Sequence, residues 1–416
     1  MSRGFFFHLH PPEVAEESLR FRATFGLGLI LIVLFLTTAV TGLFLMLFYV
    51  PSPAEARGSI LDITYAVTFG DFARSLHRLA GHTMVLVALL HLLRTWLLGA
   101  YIEKPLNFYI GLALLFVILG LAFTGYLLPW DQSAYWAVTV SSNLADAIPL
   151  VGGTLKRMLL GDEAVGGAAL VRFYALHTAV LPAVMFLLIG YHLFRVRRDG
   201  GLARSEAPMR TVSASHLMVR EATLAVSVLL LLFIAALLYT APIGGPPDFH
   251  RPSDPEKTPW YFLFLQEMVS YSTPVGGFLF PLTVVLLLLA VPLADRDSRC
   301  RGRFLGDRAE KAAFFLSFLG GAMIFAAAAI VFNSAAMQSC LSGASPLLRD
   351  VMNPASLMLA VAILGGSAVL LRTKSRRAAF AAIFAVLLIA VLGFSVLGAC
   401  RGPGWRLTWP GEVDND

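Results

Sequence analysis

Apolar residues along the chain gather into nine runs that are separated by shorter polar segments. A helix that rises about 1.5 Å per residue needs about 20 apolar residues to cross a hydrocarbon core of about 30 Å. The runs lie at residues 25–49, 79–99, 107–128, 173–194, 222–241, 275–294, 312–333, 354–371 and 378–399. The pattern therefore predicts nine transmembrane helices in an all-α polytopic membrane protein.

Composition supports this prediction, because 57% of the 416 residues are hydrophobic and only 14% are charged. The first run follows a polar segment that contains prolines and is too long for a cleaved signal peptide, so we expect it to stay in the mature protein. Lys and Arg are concentrated in the loops on the side of the N-terminus, which predicts a cytoplasmic N-terminus and an outer C-terminus in a bacterial cytoplasmic membrane. The net charge of +6 is then a matter of topology and lipid contact, and no nucleic acid partner is predicted.

The three cysteines carry little information about cofactors. Cys300 falls in a predicted cytoplasmic loop, whereas Cys340 and Cys400 fall on the outer side. The outer two either pair as a disulfide or stay as separate thiols. The sequence contains neither the CxxC nor the CxxCH pattern, so no motif indicates zinc, an iron–sulfur cluster or a covalently attached haem.

Histidines occur at matched spacings in two predicted membrane helices, one that holds residues 75–96 and one at 172–198. His77 and His91 are 14 residues apart, and His177 and His192 are 15 apart. At about 100° and 1.5 Å per residue, each pair returns to one helix face with about 21 to 22 Å between its members. Because neutral imidazole is a common haem ligand and ionisable groups are costly inside a membrane, two helices of this kind are expected to hold two haems.

The histidines and arginines of these predicted helices also have explanations that do not involve a cofactor. A single buried histidine is as well explained by hydrogen bonding in a helix bundle, and His82, which has no counterpart on the second helix, is interpreted in that way. Arg74, Arg78 and Arg94 bracket the first histidine pair and are candidates to neutralise haem propionates. Ordinary snorkelling at the membrane interface explains these arginines equally well.

Glycines repeat at the same interval as the histidines. Gly28 and Gly42 are 14 residues apart in the first helix, and Gly111 and Gly125 are 14 apart in the third. A flat cofactor that approaches a helix backbone needs positions without side chains. Together with the histidines, the glycines predict a four-helix bundle with a haem at each end, accompanied by about five further transmembrane helices.

Over roughly residues 20–200 the chain resembles the cytochrome b subunit of quinol-oxidising cytochrome bc complexes, and more closely the cytochrome b6 branch. The resemblance is carried by the segments "TGLFLMLFY", "RSLHRLAGHTMVLVALLHLLRTW", "TGYLLPWDQSAYWAV", "DAIPLVGG" and "RFYALHTAVLP". It implies that His77 and His177 ligate a low-potential haem near the outer surface. It also implies that His91 and His192 ligate a high-potential haem near the cytoplasm.

The same resemblance addresses a covalent haem and the site of quinol oxidation. The b6 branch attaches an extra haem through a cysteine of the first helix, but Gly26 stands at that place, so no covalent haem is predicted. In the family the segment matching "PWDQ" helps to wall the quinol-oxidation site, which implies roles for Tyr126, Asp131 and Tyr135. An interfacial belt of aromatic residues is the alternative explanation.

After residue 200 the chain resembles subunit IV of the b6-type complexes fused to the first half. The family's outer loop carries a Pro-Glu-Trp-Tyr signature whose glutamate accepts a quinol proton. Here Pro259 takes the place of the glutamate, before Trp260 and Tyr261. Glu267, seven residues after Trp260, could supply the carboxylate from the same face if a helix forms there; the alternative is a carboxylate solvated in the outer loop.

On the predicted cytoplasmic side, His216, Arg220 and Glu221 open the fifth helix. Their place in the family suggests a quinone-reduction site, although charged residues at a helix start also need no function beyond topology. The last two runs form a predicted hairpin around "RTKSRR". They leave an outer tail, "RGPGWRLTWPGEVDND", that either touches a partner subunit or anchors the chain at the interface.

The sequence thus predicts four parts: a cytoplasmic segment at 1–23, a dihaem four-helix bundle at 24–199, a subunit IV-like region at 200–333, and a helix hairpin with an outer tail at 334–416. Its predicted function is that of a dihaem cytochrome b in a quinol:cytochrome c oxidoreductase that oxidises quinol outside, moves electrons inward and translocates protons. A separate Rieske-type iron–sulfur subunit, a c-type cytochrome and a second copy of the chain are the implied partners. A non-bifurcating dihaem anchor and a haem-free transporter are the alternatives.

Overall fold

A computed structural model describes residues 13–15, 25–102, 104–146, 148, 150–198, 211–295 and 305–408. Within these ranges, nine helices are long and apolar enough to cross a membrane. The prediction of nine spans in an all-α polytopic membrane protein is therefore confirmed for the described part of the chain. Cys300 and the last eight residues of the tail lie outside the described residues, as does most of segment 1–23.

The chain divides into two compact units, of which the first comprises residues 1–134, 160–246 and 301–304. Its helices, with those that cross its boundary, are α1 (Leu27–Met46), α2 (Ala56–Tyr65), α3 (Gly70–Leu97), α4 (Pro105–Leu127), α5 (Gln132–Asp146), α6 (Gly152–Leu160), α7 (Gly167–Arg198) and α8 (Ala214–Leu238). All but the first three residues of α5, and all of α6 except Leu160, belong to unit 2.

Four of these helices form the bundle of unit 1. Helix α1 packs on α3, α3 on α4, and α4 on α7, while α8 lies against α1 and α3. Helix α3 begins at Gly70, nine residues before the apolar run at 79–99 and five before the predicted helical stretch 75–96. Its first three turns carry Asp71, Arg74 and Arg78, which lowered the hydropathy of the sequence window without interrupting the helix. Asp71 stands in the first turn, where a carboxylate interacts favourably with the helix dipole.

Helix α7 contains a π-helical turn over Leu176–Val180, in which the N–H of Leu181 bonds to the carbonyl of Leu176. Pro182 follows and has no N–H to give to the carbonyl of Thr178, so the regular ladder cannot run through this point. Such wide turns inside α-helices occur frequently at functional sites. This turn contains His177.

Unit 2 comprises residues 135–159, 247–300 and 305–416. Its further helices are α9 (Leu263–Tyr271), α10 (Thr273–Ala294), α11 (Arg308–Phe332), α12 (Ala335–Ser342), α13 (Pro346–Val351), α14 (Pro354–Thr373) and α15 (Arg376–Ala399). Helix α15 packs against α9, α11 and α14. Phe280, Phe325, Met358 and Phe394 are buried together in its core.

The predicted hairpin of the last two runs is present, as α14 ends at Thr373 and α15 begins at Arg376. Lys374 adopts a left-handed backbone with φ 55°, and Ser375 caps α15 by accepting a hydrogen bond from Ala378 N–H. Two further features of the structure could not be decided from the sequence. A short antiparallel pair joins β1 (Glu13–Ala15) to β2 (Thr211–Ser213), and Cys340 and Cys400 are both free thiols in the structure.

Candidate functional site

The first histidines of the two pairs meet inside unit 1. His77 of α3 and His177 of α7 have ring centroids 6.0 Å apart and ring planes inclined by 69°. Two imidazoles that bind one metal from opposite sides, with metal–nitrogen bonds of about 2 Å, have centroids separated by about this distance. The π-helical turn of α7 is the local feature that carries His177.

Each of these rings is held through Nδ1 by a neighbouring helix. His77 Nδ1 lies 3.0 Å from Thr41 Oγ1 in α1. His177 Nδ1 lies 3.0 Å from the Leu121 carbonyl oxygen and 3.3 Å from Thr124 Oγ1, both in α4. These contacts fix the two rings by their Nδ1 atoms and leave the Nε2 atoms out of the hydrogen bonds just described.

The four predicted glycines each face one of the four histidines. A Cβ placed on each glycine would meet the Cε1 atom of a histidine ring at these distances: 3.9 Å from Gly28 to His91, 3.2 Å from Gly42 to His77, 3.5 Å from Gly111 to His192, and 2.5 Å from Gly125 to His177. The matched intervals in sequence thus correspond to a matched arrangement in space. Because the glycine late in α1 faces the histidine early in α3, these neighbouring helices run in opposite directions.

The second histidine pair lies at the other end of the same bundle. His91 and His192 are close enough to interact electrostatically. On the following turn of α3, the guanidinium of Arg94 stacks over the Phe25 ring at 4.6 Å from its centroid. The structure therefore brings together both predicted histidine pairs and places one of the four predicted glycines opposite each histidine.

Arg74 has neighbours that the sequence did not indicate. It is buried and donates Nη1 to the Pro242 carbonyl at 3.4 Å and Nη2 to the Ala241 carbonyl. Its Nε is buried without a hydrogen-bond partner among the described residues. Arg78 is half-buried and interacts electrostatically with His82. Propionate binding by these arginines stays a prediction, for which the unpartnered Nε of Arg74 is available.

Asp131 joins two segments of unit 1. Its Oδ1 accepts the Ala134 N–H at 2.9 Å, which caps the start of α5, and its Oδ2 accepts the Gly244 N–H at 2.9 Å. The carbonyl oxygen of the same Gly244 accepts hydrogen bonds from Arg57 Nε and Nη2. Both carboxylate oxygens are thus engaged by backbone amides, which is a structural role. A part for Asp131 in quinol chemistry stays a prediction.

The aromatic residues predicted near quinol are found in both units. Tyr126 is half-buried near the end of α4 in unit 1. In unit 2, Tyr135 is buried and packs edge-on against Phe249 with ring centroids 5.0 Å apart. Also in unit 2, buried Tyr261 lies edge-on to the more exposed Trp260 at 5.3 Å.

Glu267 is part of a buried ion pair that the sequence did not reveal. The carboxylate is 0% exposed, so the alternative of a solvated group is wrong. Arg401 of the outer tail donates Nε to both carboxylate oxygens at 3.1 and 3.0 Å and Nη2 to Oε1, while Trp405 Nε1 donates to Oε2 at 3.1 Å. The helical spacing from Trp260 is also wrong, because α9 begins at Leu263, after Trp260.

Tyr271 and Asn333 extend this network. Arg401 Nη2 donates to Tyr271 Oη at 2.8 Å, and Asn333 Nδ2 donates to the same oxygen at 2.9 Å. Burial, together with the nearby charge of Glu267, raises the pKa of Tyr271 to about 12. A cavity of about 340 Å³ adjoins Arg401, Tyr271 and Asn333. An arginine and a tryptophan in a tail without periodicity gave no signal from which this cluster could have been found.

The three residues predicted at the cytoplasmic quinone site lie in the first turns of α8. His216 and Arg220 are exposed, and Glu221 is half-buried. Ser213 caps the helix by accepting a hydrogen bond from Ser215 N–H. Their part in quinone binding stays a prediction.

The described residues contain nine helices able to cross a membrane and two half-buried histidine pairs in one bundle. These features define a class of polytopic membrane proteins with paired imidazoles inside the membrane. Comparison with known proteins makes this more specific. The family model for cytochrome b/b6/petB matches residues 15–200. Cytochrome b6 of Heliobacterium mobile is 43% identical over 176 residues, which are 42% of this chain and 82% of that protein.

Two further relatives extend the comparison. The menaquinol:cytochrome c reductase cytochrome b subunit of Bacillus subtilis is 40% identical over 164 residues, which cover 39% of this chain and 73% of that protein. A chain of a hyperthermophilic respiratory Complex III matches 92% of this chain and 94% of its own length, with a TM-score of 0.66 and 21% identity, and shows that the fold is shared. The chain belongs to the cytochrome b/b6 family.

Membership of this family implies haem b, and the residues present fit that group. The donors are paired imidazoles, which are established ligands of haem iron. Glycines face all four rings, so that an added Cβ at Gly125 would lie only 2.5 Å from the His177 ring. The unpartnered Nε of buried Arg74 offers a hydrogen-bond donor to an anionic substituent.

Proposed function

We propose that the chain is the cytochrome b subunit of a quinol:cytochrome c oxidoreductase and holds two haem b groups. His77 and His177 would ligate the outer, low-potential haem, and His91 and His192 the inner, high-potential haem. The observation that carries the proposal is the pair of matched clusters in one bundle, in which each histidine faces a glycine. Neither a structural histidine nor a structural glycine requires this repeated combination.

The chain's own residues would then supply position, charge and insulation. The bound haems supply one-electron transfer. The imidazoles are neutral donors, and the arginines Arg74, Arg78 and Arg94 would balance the propionate charge. The spacing of the histidines along α3 and α7 spreads the two centres over most of the low-dielectric layer, which suits transfer across the membrane.

The similarity to the menaquinol:cytochrome c reductase subunit of Bacillus subtilis supports menaquinol or a related quinol as the reductant. The proposal includes quinol oxidation at the outer face, proton translocation and a cytoplasmic N-terminus. His216, Arg220 and Glu221 remain its candidates for quinone reduction. A Rieske-type iron–sulfur subunit, a c-type cytochrome and a second copy of this chain complete the proposed assembly.

Glu267 is poorly placed to accept the proton that quinol releases. Arg401 and Trp405 occupy the lone pairs of that carboxylate, so a proton could reach it only after the ion pair had opened. Full quinol oxidation by Glu267→Gln would remove it from the mechanism. A strong loss in that variant, with haem content unchanged, would restore it.

A second function, that of a non-bifurcating dihaem anchor for a partner redox enzyme, is favoured by one observation. Pro259 stands where the family has a carboxylate, and the nearby Glu267 is tied to Arg401. A site without a free proton acceptor suits simple electron transfer better than the divided oxidation of quinol.

Rapid mixing separates these functions. The membrane-bound complex, with its quinol pool reduced and its inner quinone site inhibited, is mixed with an oxidant while the haem b absorbance is followed. Transient reduction of haem b is the expected result, because one quinol electron leaves to the oxidant and the other enters the b haems. Oxidation alone would support the anchor function, and a preparation without a b-type spectrum would contradict both.

A further inference from the structure

The two ends of the haem bundle differ in the residue that precedes each glycine. Thr41 precedes Gly42, and Thr124 precedes Gly125, at the end that holds His77 and His177. At the other end, Leu27 precedes Gly28 and Ile110 precedes Gly111. A hydroxyl is thus available beside both outer histidines, whereas hydrocarbon side chains occupy the corresponding positions at the inner end.

The direction of the hydrogen bond at Thr41 follows from its partners. Thr41 Oγ1 lies 2.7 Å from the Thr37 carbonyl oxygen, which can only accept, so the hydroxyl proton is given to that carbonyl. The oxygen of Thr41 is then an acceptor toward His77 Nδ1 at 3.0 Å. This arrangement requires the proton of a neutral His77 to be on Nδ1 and leaves Nε2 with a free lone pair.

The same logic applies to the second ring. Thr124 Oγ1 donates to the Gly120 carbonyl at 2.8 Å and therefore accepts from His177 Nδ1 at 3.3 Å. The Leu121 carbonyl, at 3.0 Å from the same nitrogen, is a second acceptor. His177 thus shares its Nδ1 proton between two oxygens, and the His77 ring likewise has a backbone hydrogen bond, to Thr38, beside its contact with the Thr41 hydroxyl.

We infer that Thr41 and Thr124 are positioning residues that hold His77 and His177 as Nδ1–H tautomers and lower the reduction potential of the haem bound between them. This inference rests on the proposed haem ligation. A hydrogen bond from Nδ1–H to an acceptor makes the imidazole a stronger electron donor, which stabilises the ferric state. At the inner end, His192 has a backbone hydrogen bond to Asn107, but no threonine precedes Gly28 or Gly111, so the hydroxyl contribution is absent there, which agrees with the proposed higher potential of the inner haem.

Redox titration of the purified complex, with optical and EPR detection of the two b haems, tests the inference through Thr41→Val. Valine has nearly the shape of threonine but cannot accept a hydrogen bond. The outer haem should become easier to reduce, while the inner haem keeps its potential. Thr124→Val should shift the outer haem in the same direction, because His177 then keeps only the Leu121 carbonyl as acceptor, as His77 in Thr41→Val keeps only its backbone hydrogen bond to Thr38. Thr41→Ser should restore the wild-type potential.

Thr83→Val is the matched control, since Thr83 lies on α3 between the two ligands and, among the described residues, its hydroxyl bonds only to the Leu79 carbonyl. This variant should leave both potentials unchanged. A haem-loaded Thr41→Val complex with an unmoved outer potential, or with equal shifts in both haems, would overturn the inference. If Thr41→Val does not assemble, unchanged potentials in Thr124→Val would overturn it in the same way. A wild-type chain that binds no b haem would instead overturn the proposed function.

Discussion

Unit 1 and unit 2 both bury ionisable side chains, but they satisfy them in different ways. In unit 1, the Nδ1 atoms of His77 and His177 are held by hydroxyl and carbonyl oxygens. In unit 2, buried Glu267 is neutralised by Arg401, which comes from the chain's own tail. A buried group that is oriented without being neutralised is ready for an external partner, whereas a neutralised one stabilises the fold.

A second cluster of unit 2 follows the same rule. Arg377 at the start of α15 pairs with Glu310 of α11 and lies 3.6 Å from Asp295 at the end of α10. These ionic contacts connect the end of α10, the start of α11 and the start of α15. The comparison therefore supports cofactor binding by unit 1 and stabilisation of the fold by the buried ion pairs of unit 2.

The largest expected effect is at a haem ligand. His77→Leu should lower the haem b content from two to one per chain and abolish quinol oxidation, because one haem would lose one of the two imidazoles proposed to hold it. His82→Leu, five residues later on the same helix, is the control and should keep both haems. Haem extraction with pyridine against protein concentration provides the measurement. Equal losses in the two variants would show that His77 is only a packing residue.

Removing one member of the buried pair in unit 2 should be the next largest effect. Arg401→Met leaves Glu267 buried and uncompensated, which costs about 3–5 kcal/mol of stability. The double variant Glu267→Leu with Arg401→Met should recover most of that loss, since a well-packed apolar pair is often as stable. Thermal unfolding in detergent measures both. If Arg401→Met unfolds at the wild-type temperature, or if the double variant is no more stable than Arg401→Met, the ion pair does not stabilise unit 2.

The glycines allow a graded test inside unit 1. Alanine at Gly125 would place its Cβ 2.5 Å from the His177 ring, whereas alanine at Gly28 would place it 3.9 Å from His91. Gly125→Ala should therefore cost about 1–3 kcal/mol through displacement of the ring and lower the occupancy of the outer haem. Gly28→Ala should be nearly neutral. Low-temperature absorbance spectra distinguish the two haems, and equal effects at both glycines would contradict the fitted arrangement.

A smaller effect is expected at Asp131. Asp131→Ala removes the acceptor for the Ala134 and Gly244 amides, which should cost about 0.5–2 kcal/mol as for other helix caps. Haem content should stay at the wild-type value. If Asp131 also takes part in quinol chemistry, the rate of quinol oxidation will fall by more than the loss of folded protein explains. Asp131→Asn is the control, because its amide oxygen can still cap α5.

Much of unit 1 could be predicted from the sequence, because its signals are periodic. Helical spacing put His77 and His91 on one face of α3 and His177 and His192 on one face of α7. The matched glycine interval was recognised, but the approach of each glycine to a histidine ring became evident only in the structure. The start of α3 was missed, since its polar first turns lower the local hydropathy. The π-helical turn around His177 has a visible cause only in Pro182.

Unit 2 was predictable only at the level of its helices. The Glu267–Arg401 pair joins residues 134 positions apart in the chain, and neither residue lies in a pattern that points to the other. Long-range pairing of this kind depends on how α9 and the outer tail come together in the folded unit. The same holds for the Asp131–Gly244 contact in unit 1, which links two loops that have no shared motif.

The haem-to-chain ratio of the purified native complex, measured with an anaerobic redox titration of the b band, tests the central claim most directly. Two b haems per chain with two separate midpoint potentials are predicted, because unit 1 presents two distinct histidine pairs. One haem per chain, or none, would contradict the assignment of both pairs as ligands.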